Sequence, residues 1–278
     1  MSRSWRSRLA TVVPWLLALA ALTNAWPSPA RAQPTRAFHS HAQLEVPLLV
    51  AAASAWIASD ILQSKLAPRD CRWCSRNALD GQVRDAAVWS HPRAAAHASD
   101  ALLFGVVPLA TFGGVALMAG HHPEANALAT DMLMLSEAVV LTADLTLLTK
   151  YVFGRQRPYA YAARVDHLDV ARRPQDNLSF FSGHSSSTFS MAVAAGTIAT
   201  LRGYEQAPWV WAIGMPLAAL TGYFRIAADK HYFTDVLTGA LVGSAVGVLV
   251  PWLHTRMAGS SMPSMSVAPG TLSFSWVR

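Results

Sequence analysis

Three short stretches hold residues whose types and spacing could do phosphate chemistry: 150–158 (KYVFGRQRP), 181–184 (FSGH) and 225–235 (RIAADKHYFTD). Lys150 is followed seven positions later by Arg157, and Pro158 then fixes the chain direction. A lysine is a compact point charge and an arginine a planar two-toothed donor, so the pair can hold different oxygens of one phosphoryl group. Ser182-Gly183-His184 stands where a polar loop meets an apolar run. A helix starting there presents unpaired backbone N–H groups and the positive end of its dipole to an anion. Gly183 permits close backbone approach, Ser182 adds a hydroxyl donor, and His184 could give a proton to a departing oxygen. Arg225 supplies a third cation. His231 and Asp235 are spaced i, i+4, so at the start of a helix they share a face. Asp235 would then accept the proton on one imidazole nitrogen and leave the other free as a nucleophile.

Each stretch alone has a plainer explanation. Lysine and arginine at the end of a membrane helix serve as interfacial anchors, SGH as a helix N-cap, and a His and Asp one turn apart as a surface pair. The combination is another matter, because three cations, two histidines and a carboxylate all fall at the ends of apolar segments.

Those segments are the elements that must position them. The chain has 278 residues, 53% hydrophobic and only 14% charged, with a mean hydropathy of +0.27. Six apolar segments, about 44–63, 98–120, 127–150, 185–201, 207–224 and 235–253, have the length and the Ala, Leu and Gly content of helices. Residues 101–120, 206–224 and 236–253 contain no Asp, Glu, Lys or Arg and approach the length that crosses a bilayer. An all-α, multi-helix membrane-embedded bundle with its active site at the helix ends is therefore expected. Asp60, Asp131, Glu137 and Asp144 lie inside apolar segments, where pairing with loop arginines is the expected role.

Arg3, Arg6 and Arg8 precede an apolar run over 9–26, and Ala30-Arg31-Ala32 offers small residues for cleavage, so 1–32 reads as a signal peptide or an uncleaved anchor. Residues 33–97 form an N-terminal apolar segment and a loop with Cys71 and Cys74, either a local disulfide or two thiols. The helical core spans 98–253. Residues 254–278 read as an irregular tail, with Leu272, Phe274 and Trp276 alternating as in one short strand, if any. The net charge of +6 is spread over loops at 65–93 and 155–173 and forms no stripe with aromatics. That pattern excludes nucleic acid as a partner and favours anionic head groups or a phosphorylated substrate.

The order K-x6-RP, SGH, R-x5-H-x3-D resembles the type 2 phosphatidic acid phosphatase superfamily, which also includes bacterial acid phosphatases and vanadium haloperoxidases. The resemblance covers about 98–253. It implies metal-free hydrolysis of a phosphomonoester or diphosphate, with no cofactor; because the same cradle could take vanadate as a phosphate analogue, with His231 as the metal ligand, a vanadium-dependent haloperoxidase is the rival reading. His231 would attack phosphorus and form a phosphohistidine, with Asp235 orienting it. His184 would protonate the leaving group and then activate water. Lys150, Arg157, Ser182, Gly183 and Arg225 would hold the phosphoryl oxygens. Two positions depart from the usual pattern: Phe181 stands where the family has Pro, and Phe224 where it has Ser, which removes a possible hydroxyl behind Arg225.

Membership together with membrane helices implies a phosphorylated membrane lipid as substrate and a bilayer as partner. The bacterial inner membrane with a periplasm-facing site is the expected location. Counting spans gives a different answer: if 44–63, 98–120 and 127–150 all cross from an outside Gln33, Lys150 ends inside, and the basic loop at 64–96 agrees. Either 44–63 lies in the interface, or the enzyme is a soluble periplasmic one. Arg155 and Arg157 are read as held for phosphate, so their loop is a biased witness for the charge rule.

Overall fold

The computed structural model describes residues 38–168 and 173–256, and the backbone of two strands beyond them. The expected signal peptide lies outside the described residues. Helices α1 (Ala42–Ile61), α2 (Ala78–Ala87), α3 (Pro92–Ala119), α4 (Ala127–Phe153), α5 (Pro158–Val165), α6 (Gly183–Arg202), α7 (Ala207–Ala227) and α8 (Phe233–Arg256) build an all-α bundle. Five of these, α1, α3, α4, α7 and α8, are long and apolar enough to cross a membrane. The six apolar segments of the sequence correspond to α1, α3, α4, α6, α7 and α8 within a few residues.

The helix ends follow local chemistry. α4 stops at Gly154, which takes the left-handed conformation (φ 53°) and returns its amide to the Lys150 carbonyl at 3.0 Å. α5 begins with Pro158, whose missing N–H costs nothing at a first helical position. α6 is capped by Ser182 at its start and by Gly203 (φ 73°) at its end. Within α3, two π-helical turns, Leu102–Val106 and Leu109–Gly113, interrupt the α-helical ladder.

α6 is the axis of the bundle, its buried face running from Ser185 to Arg202 against α4, α7 and α8. Met134, Leu135 and Ala138 of α4, Ala194, Ala195 and Ile198 of α6, and Val246 and Val250 of α8 form the main core with Phe38. The α6–α8 contact is made backbone to backbone. A Cβ on Gly239 would stand 2.6 Å from the Ser182 carbonyl oxygen, and one on Gly247 2.8 Å from that of Ser190. Small residues every four positions allow this approach, as between membrane helices generally.

α1 lies alongside α4 rather than across its end. Glu45 and Glu137 both face His254, and fourteen residues further along each helix the Tyr151 hydroxyl donates to the Ser59 carbonyl at 2.8 Å. The two helices therefore run parallel, and the expectation that 44–63 could lie flat in the interface is corrected. Pairing of the intramembrane acids also differs in part. Asp131 does meet an arginine, Arg202, but at the end of α6 and not in a loop, whereas Glu137 meets His254. In the tail, Pro263–Ala268 (β1) and Thr271–Trp276 (β2) pair antiparallel, with Met265 opposite Phe274, where at most one strand was expected.

Candidate active site

The C-terminal ends of α4 and α7 and the N-terminal ends of α6 and α8 meet at one end of the bundle. Lys150 projects from the last turn of α4, and a Cβ on Gly183 would lie 3.3 Å from its Nζ. Gly183 is thus required by the closeness of the ammonium to the α6 start. Arg157 is the N-cap residue of α5, and its Nε donates to the Gln175 carbonyl at 2.9 Å. Arg225 ends α7, with Nη1 donating to the Ser99 hydroxyl at 3.0 Å. Both guanidinium groups are buried, and Arg225 Nε has no partner among the described residues. Neither Lys150 nor Arg157 has a carboxylate partner among the described residues. Buried donors of this kind, unsatisfied by protein, are what an anion would satisfy.

His231 sits in the loop before α8, fully enclosed, and its Nδ1 lies 2.8 Å from the Ser179 carbonyl oxygen. A carbonyl only accepts, so Nδ1 carries the proton and Nε2 the lone pair. Burial holds the imidazole well below its ordinary 6.5, and the charges of Arg157, Arg225, Lys150 and His184 push it the same way. The neutral form is the nucleophilic one. Lys230, beside it, is likewise lowered by burial and by Arg157 and Arg225.

The expected Asp235–imidazole bond is not formed. Asp235 Oδ2 is 3.8 Å from His231 Nδ1, and that carboxylate instead accepts from the Ser179 hydroxyl at 2.6 Å and from the Tyr232 amide at 3.0 Å. The expectation that both residues begin the last helix is corrected too. α8 starts at Phe233, so only Asp235 is helical, and its carboxylate turns back to cap the helix start. Asp235 therefore reaches the His231 imidazole through Ser179.

Arg155 is also corrected. Its guanidinium is fully buried between Asp80 (2.6 Å) and Asp235 (2.5 Å), donates to the Thr234 hydroxyl at 2.8 Å, and stacks on Trp73 and Tyr232. With two carboxylates already attached it has no role in holding phosphate. It locks the loop after α4 to α2 and α8.

His184, at the first turn of α6, faces the same end. Its Nε2 is 2.7 Å from Asp100 Oδ1, and the same carboxylate oxygen lies 3.6 Å from Arg225 Nη1. Asp100 and Ser99, from α3, were not found in the sequence. Ser99 supplies the hydroxyl behind Arg225 that the Phe224 departure seemed to remove, while Phe224 packs edge-on to Trp89. Phe181 is buried at the other departure, and its neighbour Phe180 packs on Trp73 and Phe153. The loop carrying His231 is fastened from outside by Arg84, which grips Asp229 with two bonds of 2.7 Å. Cys71 and Cys74 are joined in a disulfide on the loop at this same end.

So arranged, a neutral imidazole with one free nitrogen faces three cations, the start of a helix and a second histidine. Such an arrangement can hold a phosphoryl group and attack it in line. Residues 131–257 match the family described as the PAP2 superfamily. The lipid A 1-phosphatase of Porphyromonas gingivalis is 36% identical over 104 residues, which are 37% of this chain and 19% of that protein. Phospholipid phosphatase 2 of Rattus norvegicus is 34% identical over 136 residues, 39% of this chain and 47% of that protein. The matches thus span about half or less of the relatives' own length. A solved structure, the transmembrane PAP2 type phosphatidylglycerolphosphate phosphatase of Bacillus subtilis, is 19% identical over 75% of this chain and 96% of that one, with a TM-score of 0.45.

Proposed function

We propose that this protein is a membrane lipid phosphatase that hydrolyses a lipid-linked phosphomonoester or diphosphate through a phosphohistidine. The observation that carries the reading is the neutral His231, tied through Nδ1 to the Ser179 carbonyl and surrounded by Lys150, Arg157 and Arg225. Its Nε2 lone pair forms the N–P bond while the bond from phosphorus to the leaving oxygen breaks, and His184 delivers a proton to that oxygen. Water then gives its proton to His184, attacks phosphorus and releases inorganic phosphate, restoring His231. The cations and the α6 start stabilise the transferring group, so the step calls for no metal or cofactor. Named relatives acting on lipid A and on phospholipids support a lipid substrate.

The test is phosphate release from a panel of lipid phosphates in the presence of chelator. Wild type should be active and His231→Ala inactive, with acid-labile, base-stable label on the wild-type protein after quenching. Activity that requires added magnesium, or survives in His231→Ala, overturns the mechanism. Vanadate with peroxide and halide separates the haloperoxidase reading, for which no halide oxidation is expected.

The proposed location is the inner membrane with the site towards the periplasm; because α1 runs beside α4 towards the active-site end, this reading puts the start of α1 on the cytoplasmic side and gives up the outside Gln33 of the span count. Disulfides persist in oxidising compartments, and Cys71–Cys74 lies at the active-site end. Labelling by an impermeant thiol reagent in intact cells after mild reduction should reach these cysteines. Labelling only after lysis reverses the orientation.

A further inference from the structure

The end of the bundle away from the active site holds two ionic clusters of opposite character. In one, Arg202 bonds Asp131 at 2.7 and 2.9 Å and reaches Glu124, while the Tyr204 hydroxyl donates to Asp131 at 3.0 Å. That cluster is satisfied. In the other, Glu45 of α1, Glu137 of α4 and His254 of α8 converge with their ligand atoms all within 4.8 Å of one another. His254 Nε2 is 3.4 Å from Glu137 Oε2 and 3.7 Å from Glu45 Oε1, too far for hydrogen bonds. The His254 side chain is only 7% exposed, and its Nε2 and Glu45 Oε2 are both buried without a partner.

We infer that Glu45, Glu137 and His254 form a structural site for a divalent transition-metal ion, of which zinc fits best. His254 Nδ1 is 2.9 Å from the Val250 carbonyl, which only accepts, so Nδ1 carries a proton and Nε2 is the ring atom turned towards the two carboxylates. A carbonyl holding the other ring N–H is the usual support of a metal-bound histidine. Ligand atoms around a tetrahedral zinc with bonds of about 2.0–2.2 Å stand roughly 3.3–3.6 Å apart, a range that holds the 3.4 Å from His254 to Glu137 and falls just short of the 3.7 Å to Glu45. Glu45 and Glu137 are part-buried, while His254 Nε2 and Glu45 Oε2 are left without a partner, and a dication would satisfy both atoms. Imidazole and carboxylate oxygen suit zinc, with a fourth position left for water.

The site is separate from the chemistry. Glu137 precedes Lys150 on α4 by thirteen residues, about 20 Å of helix, and His254 follows Asp235 on α8 by nineteen, about 28 Å. The ion's effect is to fasten α1, which has no buried residue of its own, to α4 and α8.

The experiment uses full-length, untagged protein in detergent, stripped with chelator and titrated with zinc chloride. Calorimetry and elemental analysis should give one zinc per chain, and the melting temperature should rise on binding. Cobalt(II) in its place should give the intense visible bands of a four-coordinate ion. Glu137→Gln and Glu45→Gln should each weaken zinc binding at least about tenfold. Glu45 lies on the peripheral helix, so its variant keeps the test informative if Glu137→Gln misfolds. No zinc binding by folded wild type, or binding unchanged in folded Glu45→Gln and Glu137→Gln, overturns the inference. Phosphate release is a separate readout, so failure of the phosphatase reading would leave the metal result standing.

Discussion

His231 donates its Nδ1 proton to the main-chain carbonyl of Ser179, 2.8 Å away. A backbone atom cannot be removed by substitution, so the tautomer of His231 is protected from mutation at Asp235. Asp235→Asn is expected to keep a neutral His231 but to leave Arg155 with one carboxylate fewer. Breaking a buried pair in this way costs about 3–5 kcal/mol. Thermal unfolding should therefore show a large loss of stability alongside the loss of activity, while His231→Gln should lose activity with the fold intact. Inactive Asp235→Asn of wild-type stability would show the carboxylate acting on the imidazole directly.

Asp80 and Arg155 form the other half of the same lock. Asp80→Ala also frees the Thr234 amide and hydroxyl that its carboxylate accepts from at 3.0 and 2.8 Å. Each single variant should lose about 3–5 kcal/mol, and the double variant with Arg155→Met less than the sum, because the Asp80–Arg155 pair is then lost only once, although Asp235 is without its arginine wherever Arg155 is replaced. Chemical denaturation of the four proteins measures the coupling. Additive losses would mean that the pair is not a unit.

Asp100 holds both His184 and Arg225. His184→Ala removes the proposed general acid and should cost roughly 10²–10⁴-fold in kcat for an alkyl phosphate. Asp100→Ala should cost less than that, since the acid remains and only its placement is lost. With p-nitrophenyl phosphate, whose leaving group departs without a proton, both losses should shrink. Equal losses on the two substrates would place Asp100 in phosphate binding alone.

The depressed His231 pKa also bears on stability. Below pH 6.5 the unfolded chain takes up a proton on this residue that the folded protein does not, so acidification favours unfolding. For one such group the slope is at most about 1.4 kcal/mol per pH unit. Wild type should lose stability from pH 7 to pH 5 more steeply than His231→Gln. Parallel curves for the two proteins would show that this imidazole protonates as readily folded as unfolded.

The residues on the three motifs were legible because their geometry is local. Lys150 belongs to a helix end, Ser182 and Gly183 to a helix start, and Arg225 to the next helix end, so apolar lengths alone place them at one face. Asp80, Ser99 and Asp100 were not legible, because they reach the site across 75 to 154 positions of sequence and no spacing records such contacts. Asp100 had one faint signal, a lone acid immediately before an apolar run. The i, i+4 spacing of His231 and Asp235 misled for a physical reason. The helix begins between them, and a carboxylate in a first turn is drawn to the open amides behind it rather than to a neighbour on its face.

The glycines of α8 have a mechanical meaning. Where Gly239 and Gly247 lie against Ser182 and Ser190, the separation of the two helices is set by main-chain atoms in contact. The Ser182–Gly183 turn and the start of α8 behind His231 are thereby held like the fixed jaw of a caliper, indifferent to side-chain exchange elsewhere. The reacting span is constant in such a device. On the proposed reading, accommodation of differently shaped lipids falls to the parts outside the jaw, such as α3, which brings Asp100 and Ser99 to the site.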